Sequence, residues 1–83
     1  MKFGEAIKAL KVGEKVARSG WNGKGMFLKY VSGDEWSLKI PIIQGELVPL
    51  LPFIGMKTAD NCFVPWLASQ SDMLADDWVI VHA

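Results

Sequence analysis

The run Arg18-Ser19-Gly20-Trp21-Asn22-Gly23-Lys24-Gly25-Met26 gathers groups suited to holding a nucleotide-type ligand. Arg18 and Lys24 are cations that can neutralise phosphate, and Trp21 offers a flat face on which a base can stack. Asn22 carries a donor and an acceptor for a base edge or a ribose hydroxyl. Three Gly among residues 20–25 let the backbone approach a ligand, and successive loop amides can form a concave anion site. The same residues also read as a hairpin loop, with Trp21 in the core and Asn22-Gly23 in a tight turn. Both readings stay open on the residues alone. The run is not a phosphate loop, because the closing Gly-Lys-Ser/Thr pattern is missing. It is not a dinucleotide fingerprint, because no strand–helix–strand unit surrounds it.

A second cluster lies between Trp66 and Asp72. It places Trp66, Ser69, Gln70, Ser71 and Asp72 within seven residues. An aromatic ring, hydroxyls, an amide and a carboxylate are suitable for base and ribose contacts. The competing reading is a helical turn capped by Ser71 or Asp72, with Trp78 in the core. Catalytic readings are weaker. Ser69 and Ser71 have no nearby His, and His82 reads as an exposed residue near the C-terminus. Asp72, Asp76 and Asp77 read as a solvated acidic face rather than a metal or acid–base cluster. The lone Cys62 reads as an inert, half-buried strand residue. No catalytic residue, metal site or cofactor is expected.

These clusters sit in an 83-residue chain, read as a single domain over residues 1–83. A chain this short buries only ~60–65% of its unfolded surface, so its stability margin is thin. With one Cys and one His, neither an internal disulfide nor a zinc site can be assembled. Self-association is the remaining source of stability. The composition agrees: 51% of residues are hydrophobic and four Trp, four Phe and one Tyr exceed what one small core hides. Nine basic and nine acidic residues balance, so no nucleic acid polymer or anionic membrane is expected as a partner. The N-terminus turns charged at once, unlike a signal peptide. The apolar stretch from Leu47 to Met56 is broken by Pro49, Pro52 and Gly55, so it does not span a membrane. A cytoplasmic location follows as an expectation.

Phe3, Ala6, Ile7 and Leu10 follow helical spacing, with Glu5 early, Lys8 and Lys11 late, and Gly13 as a stop. A helix is therefore predicted over Lys2 to Lys11. Strands are predicted at Lys15 to Arg18, Met26 to Val31, Trp36 to Ile40, Asn61 to Trp66 and Trp78 to His82. Pro41 to Gly55 is punctuated by Pro and Gly, so any extended pieces there belong at sheet edges. The fold class is α+β: a small antiparallel sheet, one main N-terminal helix and a short C-terminal helical turn.

Several long strings resemble one family. They are Phe3-Gly4-Glu5-Ala6 through Lys15-Val16-Ala17-Arg18, Gly20-Trp21-Asn22-Gly23-Lys24-Gly25-Met26, Met56-Lys57-Thr58-Ala59-Asp60, and Val64 through Trp78. The chain resembles the phage-encoded Thoeris anti-defence proteins of the second type over roughly residues 3–30 and 56–81. The resemblance implies a sponge that binds cyclic ADP-ribose isomers, such as glycocyclic ADP-ribose, without degrading them. The downstream effector then stays off in the infected host. It also implies cyclic dinucleotide capture at a separate site in some members, and a homotetramer built as a dimer of dimers with pockets between subunits. Carried over by position, Phe3 and Trp21 match family aromatics for adenine or ribose packing. Asn22, Ser69, Gln70 and Asp72 match polar positions for ribose or base. Arg18 and Lys24 are assigned to the diphosphate by charge. A signal-degrading phosphodiesterase and an oligomeric protein-interaction module stand as alternatives. Residues 32–55 carry little of the pattern.

Overall fold

The helix begins where the sequence places it. In the computed structural model, which describes residues 1–21, 25–34, 41–43, 46–47 and 50–82, α1 spans Phe3–Lys11. Glu5 Oε1 reaches back to accept the Lys2 N–H at 3.1 Å, which satisfies one of the free amides of the first turn. Gly13 ends the helix in the left-handed conformation, φ +95°. The Gly13 N–H donates to Leu10 O at 3.0 Å and the Glu14 N–H to Ala9 O at 3.0 Å. That bond pair is a Schellman cap.

Seven strands follow: β1 Lys15–Arg18, β2 Phe27–Val31, β3 Pro41–Ile43, β4 Glu46–Leu47, β5 Phe53–Lys57, β6 Phe63–Pro65 and β7 Trp78–Val81. A short helix, α2, covers Gln70–Leu74 between the last two. Five strands form one antiparallel sheet in the order β6-β5-β2-β1-β7, while β3 and β4 pair separately. The α+β architecture expected from the sequence is the one observed.

Register explains the core. Val64, Met56, Leu28, Val16 and Ile80 form one row across all five strands. Paired residues share a face, and this row faces α1. Ala6 and Leu10 from the helix close on Val16, Leu28 and Trp78, all of them essentially inaccessible to solvent. Trp78 is the largest of these, and its indole N–H is satisfied by Asp72 O at 3.0 Å. Lys15, Phe27 and Lys57 occupy the opposite face, by the same register. There Lys15 Nζ lies 4.8 Å and Lys57 Nζ 5.8 Å from the centroid of the Phe27 ring.

Three expectations need correction. First, β5 is an interior strand between β6 and β2, not an edge piece. Pro52 lies just outside it, where its missing N–H removes no ladder bond. Gly55 is accommodated because the Phe63 ring occupies its missing side-chain space, 2.2 Å from where a Cβ would sit. Second, the α2 cap is Ser69, not Ser71 or Asp72. Ser69 Oγ accepts the Asp72 N–H at 3.1 Å, and Asp72 Oδ2 accepts the Ser69 N–H at 3.2 Å. This is a capping box that starts the helix two to three residues earlier than expected. Third, Cys62 is exposed and precedes β6, in the turn built by Thr58, Asp60 and Asn61. Asn61 there has φ +68°. The expected strand over residues 36–40 lies outside the described residues, as do Asn22 and Lys24.

Candidate functional site

Trp78 is the hub of an aromatic cluster. Its ring centroid lies 5.6 Å from Phe3, 5.5 Å from Trp21 and 6.0 Å from Trp66. Trp21 and Trp66 both meet it edge to face, at 80° and 84°, a favourable arrangement for ring quadrupoles. Phe3 is carried by the first turn of α1. Trp66 is anchored just past β6 by its N–H to Ile54 O at 2.8 Å. Their rings lie 6.2 Å apart, so two aromatics from opposite ends of the chain become neighbours.

Phe3 and Trp66 together line a groove of about 410 Å³. Ile7, Leu10 and Lys11 of α1 form one wall, Tyr30 and Ile54 contribute from the sheet, and Ala68 from the connection between β6 and α2. Tyr30 pairs with Ile54 across β2 and β5, which puts both on the helix-facing side. The volume lies within the range of small-molecule sites, and an apolar lining with a few polar groups is their usual composition. The sequence reading missed Tyr30 and Lys11 here. Tyr30 sits in a predicted strand with nothing in its spacing to mark it. Lys11 stands out in the sequence only as a charge at the helix C-terminus.

Trp78 also adjoins a polar seam, through its pairing with Arg18 and its indole bond to Asp72 O. Arg18, at the end of β1, donates from Nε to Asp77 Oδ1 at 2.9 Å and from Nη1 to Asp72 Oδ1 at 3.0 Å. The acidic residues therefore do not form one solvated face: Asp72 and Asp77 turn inward to Arg18, while Asp76 is exposed. The Asp77 carboxyl is held below its ordinary pKa, chiefly by the Arg18 hydrogen bond. For Asp72, partial burial pushes upward, but bonds from Ser69 and Arg18 outweigh it and leave the pKa lowered. Arg18 is correspondingly held more firmly in its charged form by Asp77 and then Asp72.

The sequence-predicted residues thus fall into two groups around one indole. Phe3 and Trp66 share the groove. Arg18, Ser69 and Asp72 share the seam, with Trp21 packed beside it on Trp78. Gln70 is exposed at the first position of α2. Among the described residues, no group of three His, Cys, Asp or Glu side chains is placed to hold a metal ion.

A family model for the Thoeris anti-defense 2-like domain matches residues 1–81. The chain belongs to the Thoeris anti-defense 2 family. A curated relative, Thoeris anti-defense 2 of Bacillus phage SP01, is 48% identical over 84 residues. That alignment covers 98% of this chain and 94% of the relative. Membership in the Thoeris anti-defense 2 family places the chain among phage anti-defence proteins. The match includes the residues that line the groove and form the seam. No helix among the described residues is long and apolar enough to cross a membrane.

Proposed function

We propose that this Thoeris anti-defense 2 family member is a non-catalytic sponge inside the infected bacterium. It binds a cyclic ADP-ribose-type signal, holds it intact and so keeps the Thoeris effector off. The observation that carries this reading is the groove in which Phe3 and Trp66 stand 6.2 Å apart with Lys11 at the lining. Such a surface receives a flat purine on its apolar walls and leaves the diphosphate toward cations. Lys24 and the side of Arg18 not committed to Asp72 and Asp77 complete the phosphate contacts. Asn22, Ser69, Gln70 and Asp72 supply ribose and base contacts.

Energetics favour a rigid assembly. A stacked base contributes ~1–3 kcal/mol and a charge-assisted hydrogen bond ~1.5–3 kcal/mol. Association costs ~4–15 kcal/mol, so tight capture requires walls that are already in place. The reading includes, as the family resemblance implies, a homotetramer, a dimer of dimers in which a second copy closes each groove. Leu67 and Leu74, next to Trp66 and within α2, are 91% and 84% exposed, which suits burial by another copy.

The test is capture and release. The protein is incubated with a cyclic ADP-ribose isomer, freed of unbound ligand, heat-denatured, and the supernatant analysed. Intact ligand at a fixed ratio to protein is expected. A linear product marks a phosphodiesterase and ends the sponge reading. A cyclic dinucleotide run in parallel shows whether capture extends to that second class. No retention of any cyclic nucleotide, with a stable oligomer by sedimentation, would point to a protein-interaction module instead.

A further inference from the structure

Asp77 holds three consecutive residues at the start of the candidate loop, Arg18, Ser19 and Gly20, from 57 to 59 positions away. Its Oδ1 accepts Arg18 Nε at 2.9 Å. Its Oδ2 accepts the Gly20 N–H at 3.2 Å and faces Ser19 Oγ at 3.5 Å. Its main-chain carbonyl accepts the Ser19 N–H at 3.1 Å, and the Trp21 N–H closes the turn on Arg18 O at 3.1 Å. A Cβ at position 20 would stand 3.2 Å from Asp77 Oδ2, so Gly20 gives the carboxylate room to reach the backbone. Asp77 also immediately precedes Trp78, the indole against which Trp21 stands edge-on. One side chain thus ties the start of the loop to the ring that Phe3 and Trp66 share.

We propose that Asp77 is a positioning residue for signal capture: without touching the ligand, it orders Arg18 to Trp21 before the ligand arrives. The proposal rests on the sponge reading for its ligand, and on geometry for the ordering itself. Asparagine at this position keeps the shape but replaces one acceptor with a donor. Either orientation of the amide then sets N–H against N–H, at Arg18 or at Gly20. The segment samples other arrangements, and only the competent fraction binds.

The test compares wild type, Asp77→Asn and the exposed neighbour Asp76→Asn, using glycocyclic ADP-ribose as the probe. For Asp77→Asn, affinity is expected to fall by about tenfold, with the loss in the association rate and dissociation little changed. Asp76→Asn is expected to match wild type. The near-ultraviolet indole signal of free Asp77→Asn is expected to weaken and to return on binding, which a general loss of stability would not produce. Unchanged affinity in Asp77→Asn overturns the proposal, as does a loss carried by faster dissociation, the mark of a direct contact. Should Asp77→Asn not fold, amide exchange on wild type decides. Protection of the Gly20 and Trp21 amides before ligand supports the ordering, and free exchange there ends it. Wild type that binds no probe while showing that protection removes the functional reading and leaves Asp77 with a purely structural role.

Discussion

At the residue scale, the molecule turns on how Arg18 is used. A cation beside a Gly-rich loop invites a phosphate, yet its guanidinium bridges Asp72 and Asp77. Arg suits this because one planar fork can meet two carboxylates at once. The pairing makes stability depend on acid. Both carboxyls have folded pKa values below their ordinary 3.8. Their contribution is therefore complete above the unfolded carboxylate value and is lost as pH falls through the lower, folded one. Melting temperatures followed from pH 6 to pH 2 should decline most steeply below about pH 4. Arg18→Gln should lower the plateau and flatten that decline. A decline of equal slope in both proteins would show that the seam does not carry the dependence.

At the element scale, the two helices are bounded by specific backbone devices. Gly13 closes α1 at φ +95°, a region that costs a side-chain-bearing residue about 1–2 kcal/mol. Gly13→Ala should lower the melting temperature by roughly 4–8 °C per kcal/mol in a domain of this size. Nothing lies within 4 Å of the added Cβ, so any loss reports backbone strain and not a clash. Ser69 begins α2, and Ser69→Ala should remove about 1 kcal/mol of capping. Because the cap fixes Asp72, and Asp72 holds both Arg18 and the Trp78 indole, that change should also perturb the near-ultraviolet spectrum. A spectrum identical to wild type would show that α2 is independent of the seam.

At the scale of the whole molecule, Trp78 joins everything. It is fully buried in one cluster with Ala6 and Leu10, and it meets both Phe3 and Trp66 of the groove and, through its indole N–H, Asp72 of the seam. Truncating such a ring costs about 3–5 kcal/mol, against a total of ~5 kcal/mol or more for a small domain. Trp78→Ala should therefore be largely unfolded at 37 °C by far-ultraviolet circular dichroism. A cooperative melt within a few degrees of wild type would contradict its place as the hub. Leu67 and Leu74 stand on the outside of the fold, and in the proposed oligomer another copy would cover them. A small domain that self-associates gains burial that its own core cannot supply.

Sequence alone determined the local features. The spacing of Phe3, Ala6, Ile7 and Leu10 set the helix, Gly13 set its end, and Lys15–Arg18 formed the strand that was read there. These were legible because helix period, left-handed glycine and short apolar alternation depend on near neighbours. The long strings around Trp21 and Trp66 were also enough to identify the family. Tertiary structure decided the rest. That β5 runs through the sheet interior depends on Phe63 filling the space over Gly55, and that Arg18 is paired depends on Asp72 and Asp77, more than fifty residues away. Phe3 and Trp66 become one wall only when the helix docks on the sheet. Such contacts are long-range, and periodicity along a chain does not say which distant side chain will fill a gap or meet a charge.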